Sequence, residues 1–268
     1  MSIDRGEQLE PAYVLHRRPY RDSSLILEVF VCGGSRIALV ARGARRASSR
    51  WQSLLQLFQP ILLSWGGRGE LGTLRRAEAI DAPPALRGQA LLSAMYVNEL
   101  LLRLLHRNDP HPGLFDAYQM ALQELTSLPV PMSEGGVAVG GLERALRLFE
   151  LRLLREIGYG PMLDKEAYTL APIETAALYH YVPETGPVLS TDARPMQGRG
   201  VMVHGGSLQS LDRGELNDAV TLRECKRLMR EILDVCLGGR PLNSRRLFRA
   251  RHTAHAHSTV AAATGNGL

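Results

Sequence analysis

The sequence predicts an α+β multidomain protein: an N-terminal five-stranded OB barrel, then an α-helical domain interrupted by an irregular insertion. Three observations carry this. Five short apolar runs, several alternating or β-branched, occupy residues 12–81 with no long helical period between them. Helical patterns fill 86–157 and return at 219–237. The stretch 158–206 between them is rich in Gly and Pro.

The five runs are AYVLHRR, SSLILEVFV, RIALVARGA, LLQLFQPILLSWG and LGTLRRAEAI. They are parted by Pro19, by Gly33-Gly34-Ser35, by an arginine-rich loop and by the hairpin signal Gly66-Gly67-Arg68-Gly69. A closed barrel gives so small a module a core with few edges; an SH3-like barrel is the alternative to an OB barrel. Pro60 inside the fourth run predicts a bulge or an edge.

At Pro83-Pro84 the character changes. Residues 86–106 predict a helix with Leu91, Met95, Leu102 and Leu105 on one apolar face, ended by Asn108-Asp109-Pro110. A second helix follows at 112–128, then a Pro/Gly/Ser loop at 129–141. In the third helix, 142–157, Leu142, Leu146, Phe149, Leu153 and Ile157 form a core stripe. Leu148 and Leu151 fall opposite, bracketed by Arg144, Arg147 and Arg155. Such an outward face suits an acidic amphipathic peptide; the alternative is a neighbouring helix that covers the leucines. Within 158–206 only LYHYV and GVMVHG are strand-like. The helix at 219–237 closes at Gly238-Gly239 and Pro241 and shows Arg223, Arg227 and Arg230 on one face beside Lys226. NSRRLFR, 243–249, predicts a short basic helix capped by Asn243 or Ser244. The expected units are therefore 1–82, 83–158, 159–206 and 207–251, with a disordered tail at 252–268.

Charge is distributed unevenly. Residues 13–51 carry eight Arg against Asp22 and Glu28, and 240–251 carry five Arg and no acid. The rest of the chain is net acidic against a whole-chain charge of +5. The loop between the third and fourth runs holds Arg42, Arg45, Arg46 and Arg50 without an acid. Guanidinium forks match phosphate oxygens and stay charged at any biological pH, so this loop is expected to grip a nucleic-acid backbone. Arg36, Arg17, Arg18 and Arg21 extend that contact, and Arg245, Arg246 and Arg249 supply a second patch. Tyr13, Tyr20, Phe30 and Trp51 are candidates for stacking on bases, although aromatics on a small barrel are more often core.

Catalytic constellations are missing from the sequence. It contains no Walker loop, no His-Glu-x-x-His, no Gly-x-Ser-x-Gly, and no acid cluster of a two-metal nuclease. Cys32, Cys225 and Cys236 form no disulfide framework, which fits a reducing cytoplasm. Cys225 and Cys236 are expected to be buried thiols. No secretion signal or membrane span is expected.

AYVLHRRPYRDSSLILEVF, RIALVARGARR, LLQLFQPILLSWGGRGELGTLRRAEA, YVNELLLRLL, LRLFELRLLREIGYG and LGGRPLNSRRLFR resemble, in order and spacing, the RecO recombination mediators from about Tyr13 to Arg251. The resemblance implies an OB domain followed by a helical domain, and a cytoplasmic, nucleoid-associated role in recombinational repair. It implies binding of single- and double-stranded DNA and annealing of complementary strands. With RecR, such proteins help RecA replace the single-stranded-DNA-binding protein (SSB) on gaps. No cofactor or catalysis is implied; a non-catalytic adaptor without annealing activity is the alternative. Many members carry a four-cysteine zinc module after the Gly-Tyr-Gly motif, here Gly158-Tyr159-Gly160. The corresponding segment here has no cysteine and offers only His180, Asp164 and Asp192, which predicts a degenerate, metal-free remnant. The family docks the acidic, Phe-ending SSB C-terminal tail into a groove of the helical domain. Arg147 is the first choice for its carboxylates, with Arg144 nearby and Leu148 and Leu151 as part of the apolar floor.

Overall fold

The computed structural model describes residues 8–67, 69–127, 137–190 and 199–248. The expected tail at 252–268 and most of the expected loop at 129–141 lie outside these residues.

Strands β1 (Glu10–Tyr20), β2 (Ser24–Val31), β3 (Arg36–Ala41), β4 (Pro60–Gly66) and β5 (Leu71–Ala79) close into a barrel of order β1-β2-β3-β5-β4. All pairs are antiparallel except β3 with β5, and β4 returns to β1 to seal the barrel. That connectivity is OB-like and sets aside the SH3-like alternative. Side chains alternate in a strand, so β1 and β2 serve two cores at once. Ala12, Val14, Leu27 and Val29 fill the barrel, while Tyr13, Leu15 and Phe30 point into the helical core. Burial on both faces explains why these runs read as nearly continuous apolar sequence.

The fourth run behaves differently from the expectation. A single-turn helix, α1 (Trp51–Leu54), ends at its first residue, and its first part is a loop in which Phe58 is buried with φ of 67°. Pro60 starts β4, where its missing N–H costs least; the register shift falls instead between Ser64 and Trp65.

Helices α2 (Gly88–Leu104), α3 (Pro112–Ser127) and α4 (Val137–Glu156) follow. The buried side of α2 is only partly the expected one, for Leu105 is buried and Leu102 half-buried but the N-terminal half turns another face inward. Ala94, Tyr96, Val97, Asn98, Leu100 and Leu101 are buried, and Leu91 and Met95 are exposed. Contact with β1, α3 and α4 together selects that face. Asn98 ties the two units: its Nδ2 donates to Leu15 O at 3.0 Å and its Oδ1 accepts from Tyr118 Oη at 2.8 Å. Around this bridge Tyr13 and Phe30 pack against Phe115 and Tyr118 with ring centroids 5.0–5.8 Å apart.

The segment expected to be irregular contains a three-stranded antiparallel sheet, β7-β6-β8, built from β6 (Leu178–Val182), β7 (Gly186–Leu189) and β8 (Val201–His204). Tyr179, Tyr181 and Val203 join its inner face to the helical core. Helix α5 (Gly205–Arg213) leads to α6 (Ala219–Cys236). Asp218 caps α6, accepting from the backbone of Val220 and Thr221 at 2.9 Å, and the bonds from Thr221 and Val220 hold its carboxyl below the ordinary aspartate value. Gly238 and Gly239, at φ of 60° and 71°, end α6 in the left-handed region where a Cβ is costly. The final short helix, 243–248, is capped from a distance: Glu99 of α2 accepts from Asn243 N, Ser244 N and Ser244 Oγ at 2.7–2.8 Å.

Candidate nucleic-acid interface and helical-domain groove

The arginine loop, residues 42–50, is fastened to the end of the barrel. Ala44 plugs the barrel core, and Gly43 adopts φ of 69° to turn the chain there. Arg45 N donates to Ser23 O at 2.9 Å and Arg45 Nη1 to Arg21 O at 3.2 Å, clamping the loop onto the β1–β2 turn. Gln52 Nε2 holds Arg46 O at 3.0 Å from α1. Arg42, Arg45, Arg46 and Arg50 are thereby displayed together with Arg17, Arg18 and Arg21, all seven exposed. Among the described residues no carboxylate lies within ion-pair distance of any of the seven.

The aromatics divide. Arg50 lies over the Trp51 ring at 4.6 Å from its centroid and Arg21 over Tyr20 at 5.1 Å, so those half-buried rings present guanidinium-covered faces. Tyr13 and Phe30 are core residues of the interface with α3 and do not reach solvent as stacking platforms.

Arg36 is likewise not a free contact. Its Nη1 donates to Leu102 O at 2.6 Å and its Nε sits 3.8 Å from Glu28, joining β3 to α2. Burial lowers its pKa from the ordinary arginine value against the pull of Glu28. Position at a strand start made it look exposed; a helix from the second unit covers it.

The second site is a cavity of about 430 Å³ among α2, α4, α6 and the final helix. Leu142, Leu146 and Phe248 supply apolar wall; Arg147, Lys226, Arg230 and Arg245 supply cations. At its floor is a buried network. Arg147, 5% exposed, donates through Nε to Glu150 Oε2 at 2.6 Å and through Nη2 to Glu150 Oε1, and Tyr96 Oη donates to Glu150 at 2.6 Å. Burial works against the Arg147 charge, but Glu150 and Tyr96 outweigh it and raise its pKa; burial also pushes the Tyr96 hydroxyl upward. Arg147 Nη1 is buried and finds no acceptor among the described residues.

This placement corrects the expected outward face of α4. The helix is central, flanked by α2, α3 and α6, so two sides of it are covered. Leu151 is core at 4% exposure. Leu148 is half-buried on the side of Gly214, outside the cavity lining. Arg144 pairs with Glu124 of α3 at 3.5 Å and is also absent from the lining. Arg147 does line the cavity, but from its buried floor. Arg245 turns into the same cavity and pairs with Asp234, which removes it from the expected second phosphate patch. Arg246 is exposed; Arg249 lies outside the described residues. Tyr96, Lys226, Arg230 and Phe248 were not legible as groove residues. The one hint was the basic face of α6.

A zinc site does not fit the insertion. His180 is buried within β6, Asp164 is exposed, Asp192 lies outside the described residues, and no three His, Cys, Asp or Glu side chains converge among the described residues. Glu166 instead knots the segment, accepting from Tyr168 N, Thr169 N and Thr169 Oγ1 at 2.6–2.9 Å. Cys225 is buried as expected, while Cys236 is only half-buried; burial pushes the Cys225 thiol up to about 12 and that of Cys236 up to about 11. No helix among the described residues is long and apolar enough to cross a membrane.

Residues 6–83 match the family model described as Recombination protein O N terminal, and residues 86–246 match Recombination protein O C terminal. The DNA repair protein RecO of Nitrosococcus oceani is 46% identical over 89% of this chain and 92% of its own length. Its counterpart in Aromatoleum aromaticum is 43% identical over 93% and 98%, and that in Coxiella burnetii 41% identical over 89% and 97%.

Proposed function

The chain belongs to the RecO family of DNA repair proteins, with the general role in recombinational repair that this carries, and we propose that it works there as a non-catalytic strand-annealing mediator. The observation that carries this reading is the barrel-end group of seven exposed arginines without carboxylate partners. Guanidinium groups that hold phosphates leave base edges free to pair and screen the repulsion between two strands. Single- and double-stranded DNA are both ligands by that chemistry, with little sequence preference. The mediator acts with RecR to help RecA onto SSB-coated gaps, at the nucleoid. Salt-titrated DNA binding and an annealing assay test the proposal: steep salt dependence together with annealing supports it, while an adaptor shows neither.

The groove receives the acidic SSB tail, with its apolar end against Leu142, Leu146 and Phe248 and its carboxylates at the cations. The spare Nη1 of Arg147 supports this, since a buried donor without an acceptor is costly until a ligand supplies one. Arg147→Ala is a poor probe because it also strands buried Glu150. Arg230→Glu, at an exposed lining position, is expected to weaken binding of an acidic Phe-ending peptide by about tenfold while DNA binding holds. Equal peptide affinity in that variant removes the groove from the account. The insertion is a metal-free remnant, and elemental analysis of chelator-free protein is expected to find less than stoichiometric zinc.

A further inference from the structure

The groove contains its own anions, and the role assigned to them here rests on its reading as a peptide site. Three of its four cations are already paired with carboxylates that line the same cavity: Arg147 with Glu150, Lys226 with Glu143, and Arg245 with Asp234. Arg230 alone has no carboxylate within ion-pair distance among the described residues.

The three pairs are not equivalent. The Glu150 side chain is fully buried and held by both Arg147 and Tyr96, so it cannot leave. The Glu143 side chain is 24% exposed and that of Asp234 is 43% exposed. Each reaches water by a rotamer change, and pairs this open are individually weak. A carboxylate arriving at Lys226 or Arg245 therefore exchanges one ion pair for another and releases a resident acid to solvent.

We infer that Glu143 and Asp234 are built-in competitors that lower the groove's affinity for an acidic peptide and flatten its salt dependence, while Arg230 makes the first contact. The physical reason lies in the count of ion pairs. An exchange leaves their number unchanged, so added salt screens the free and the bound state alike. Without the resident acid the cation meets an anion only in the complex, and screening then opposes binding. A mediator that must release its partner has use for such reversible capture.

The test is fluorescence anisotropy with a labelled peptide of several aspartates ending in phenylalanine, on the full chain and its Glu143→Gln and Asp234→Asn variants. Each variant is expected to bind about three- to fivefold tighter, as loss of a half-exposed competing pair allows, and with a steeper salt slope. A control peptide with asparagine in place of aspartate and an amidated C-terminus is expected to gain nothing. Unchanged or weaker binding by both variants, parallel salt slopes, or an equal gain by the neutral peptide overturns the inference while leaving the groove reading intact. Absence of binding by wild type and variants alike overturns both.

Discussion

Replacing Arg45 and Arg46 together by glutamate lowers single-stranded DNA affinity by at least about tenfold at roughly 0.1 M salt, and flattens the salt dependence. Each phosphate contact to a single strand contributes about 0.7 to the slope of log affinity against log salt, so loss of two contacts removes about 1.4. The variant leaves the barrel in place. Neither side chain has a carboxylate partner among the described residues, and the loop's anchors are backbone groups: Arg45 N on Ser23 O, and Arg46 O held by Gln52. Only the bond from Arg45 Nη1 to Arg21 O is lost, and it is exposed. Salt-titrated anisotropy with a melting control measures the effect. Wild-type affinity and slope in a folded variant would show that the loop is solvated and makes no DNA contact. Under the annealing role proposed above, the same variant is expected to anneal complementary strands more slowly, which the annealing assay measures.

Glu150→Ala destabilises the fold by about 3–5 kcal/mol, because it leaves a buried guanidinium without its anion. Arg147 is 5% exposed and Glu150 0%, so the lost bonds lie away from bulk water, and Tyr96 Oη loses its acceptor as well. Glu150→Gln keeps an acceptor for Tyr96 and costs less. A paired replacement, Arg147→Met with Glu150→Leu, recovers most of the loss, since a buried ion pair can be matched by apolar side chains of similar volume. Urea unfolding of wild type and the three variants measures these costs, and adding the Arg147→Met and Glu150→Leu single variants completes a double-mutant cycle. A Glu150→Ala protein within about 1 kcal/mol of wild type would show that the network contributes nothing to stability. The paired variant would remain folded yet lose peptide binding, which separates the stabilising part of the network from the part that meets a ligand.

The barrel was legible because its cause is local. Strand alternation, Gly33-Gly34 and the arginine loop each act within a few residues, and β1, β2, β3 and β5 lie where those signals put them. The exposed loop arginines were legible for the same reason. The helical faces were not. Leu151 and Leu91 both sit in apolar patterns, yet one is core and the other is exposed, because α4 has neighbours on two sides and α2 turns Ala94 and Val97 toward its own. Glu99 as the cap of the final helix, 144 residues before the backbone it serves, had no local signal at all.

From its sequence alone this protein is determined to be an OB-like barrel joined to helices, with cationic charge gathered at the barrel's loop and no catalytic constellation. Periodicity, turn chemistry and charge density are properties of neighbours along the chain, so the linear order of residues contains them. Tertiary structure alone decided which arginines are free. Arg36, Arg147 and Arg245 carry the same charge as Arg42 and Arg46, but packing brings Leu102 O, Glu150 and Asp234 to them. A guanidinium's availability depends on the acceptors within a few ångströms and on what covers them: Leu102 lies 66 residues from Arg36, and Glu150, although one helical turn from Arg147, is sealed in with it by the packing around α4. The same packing covered a supposed outward leucine face and left, on another side of α4, a cavity whose cations are already partly occupied.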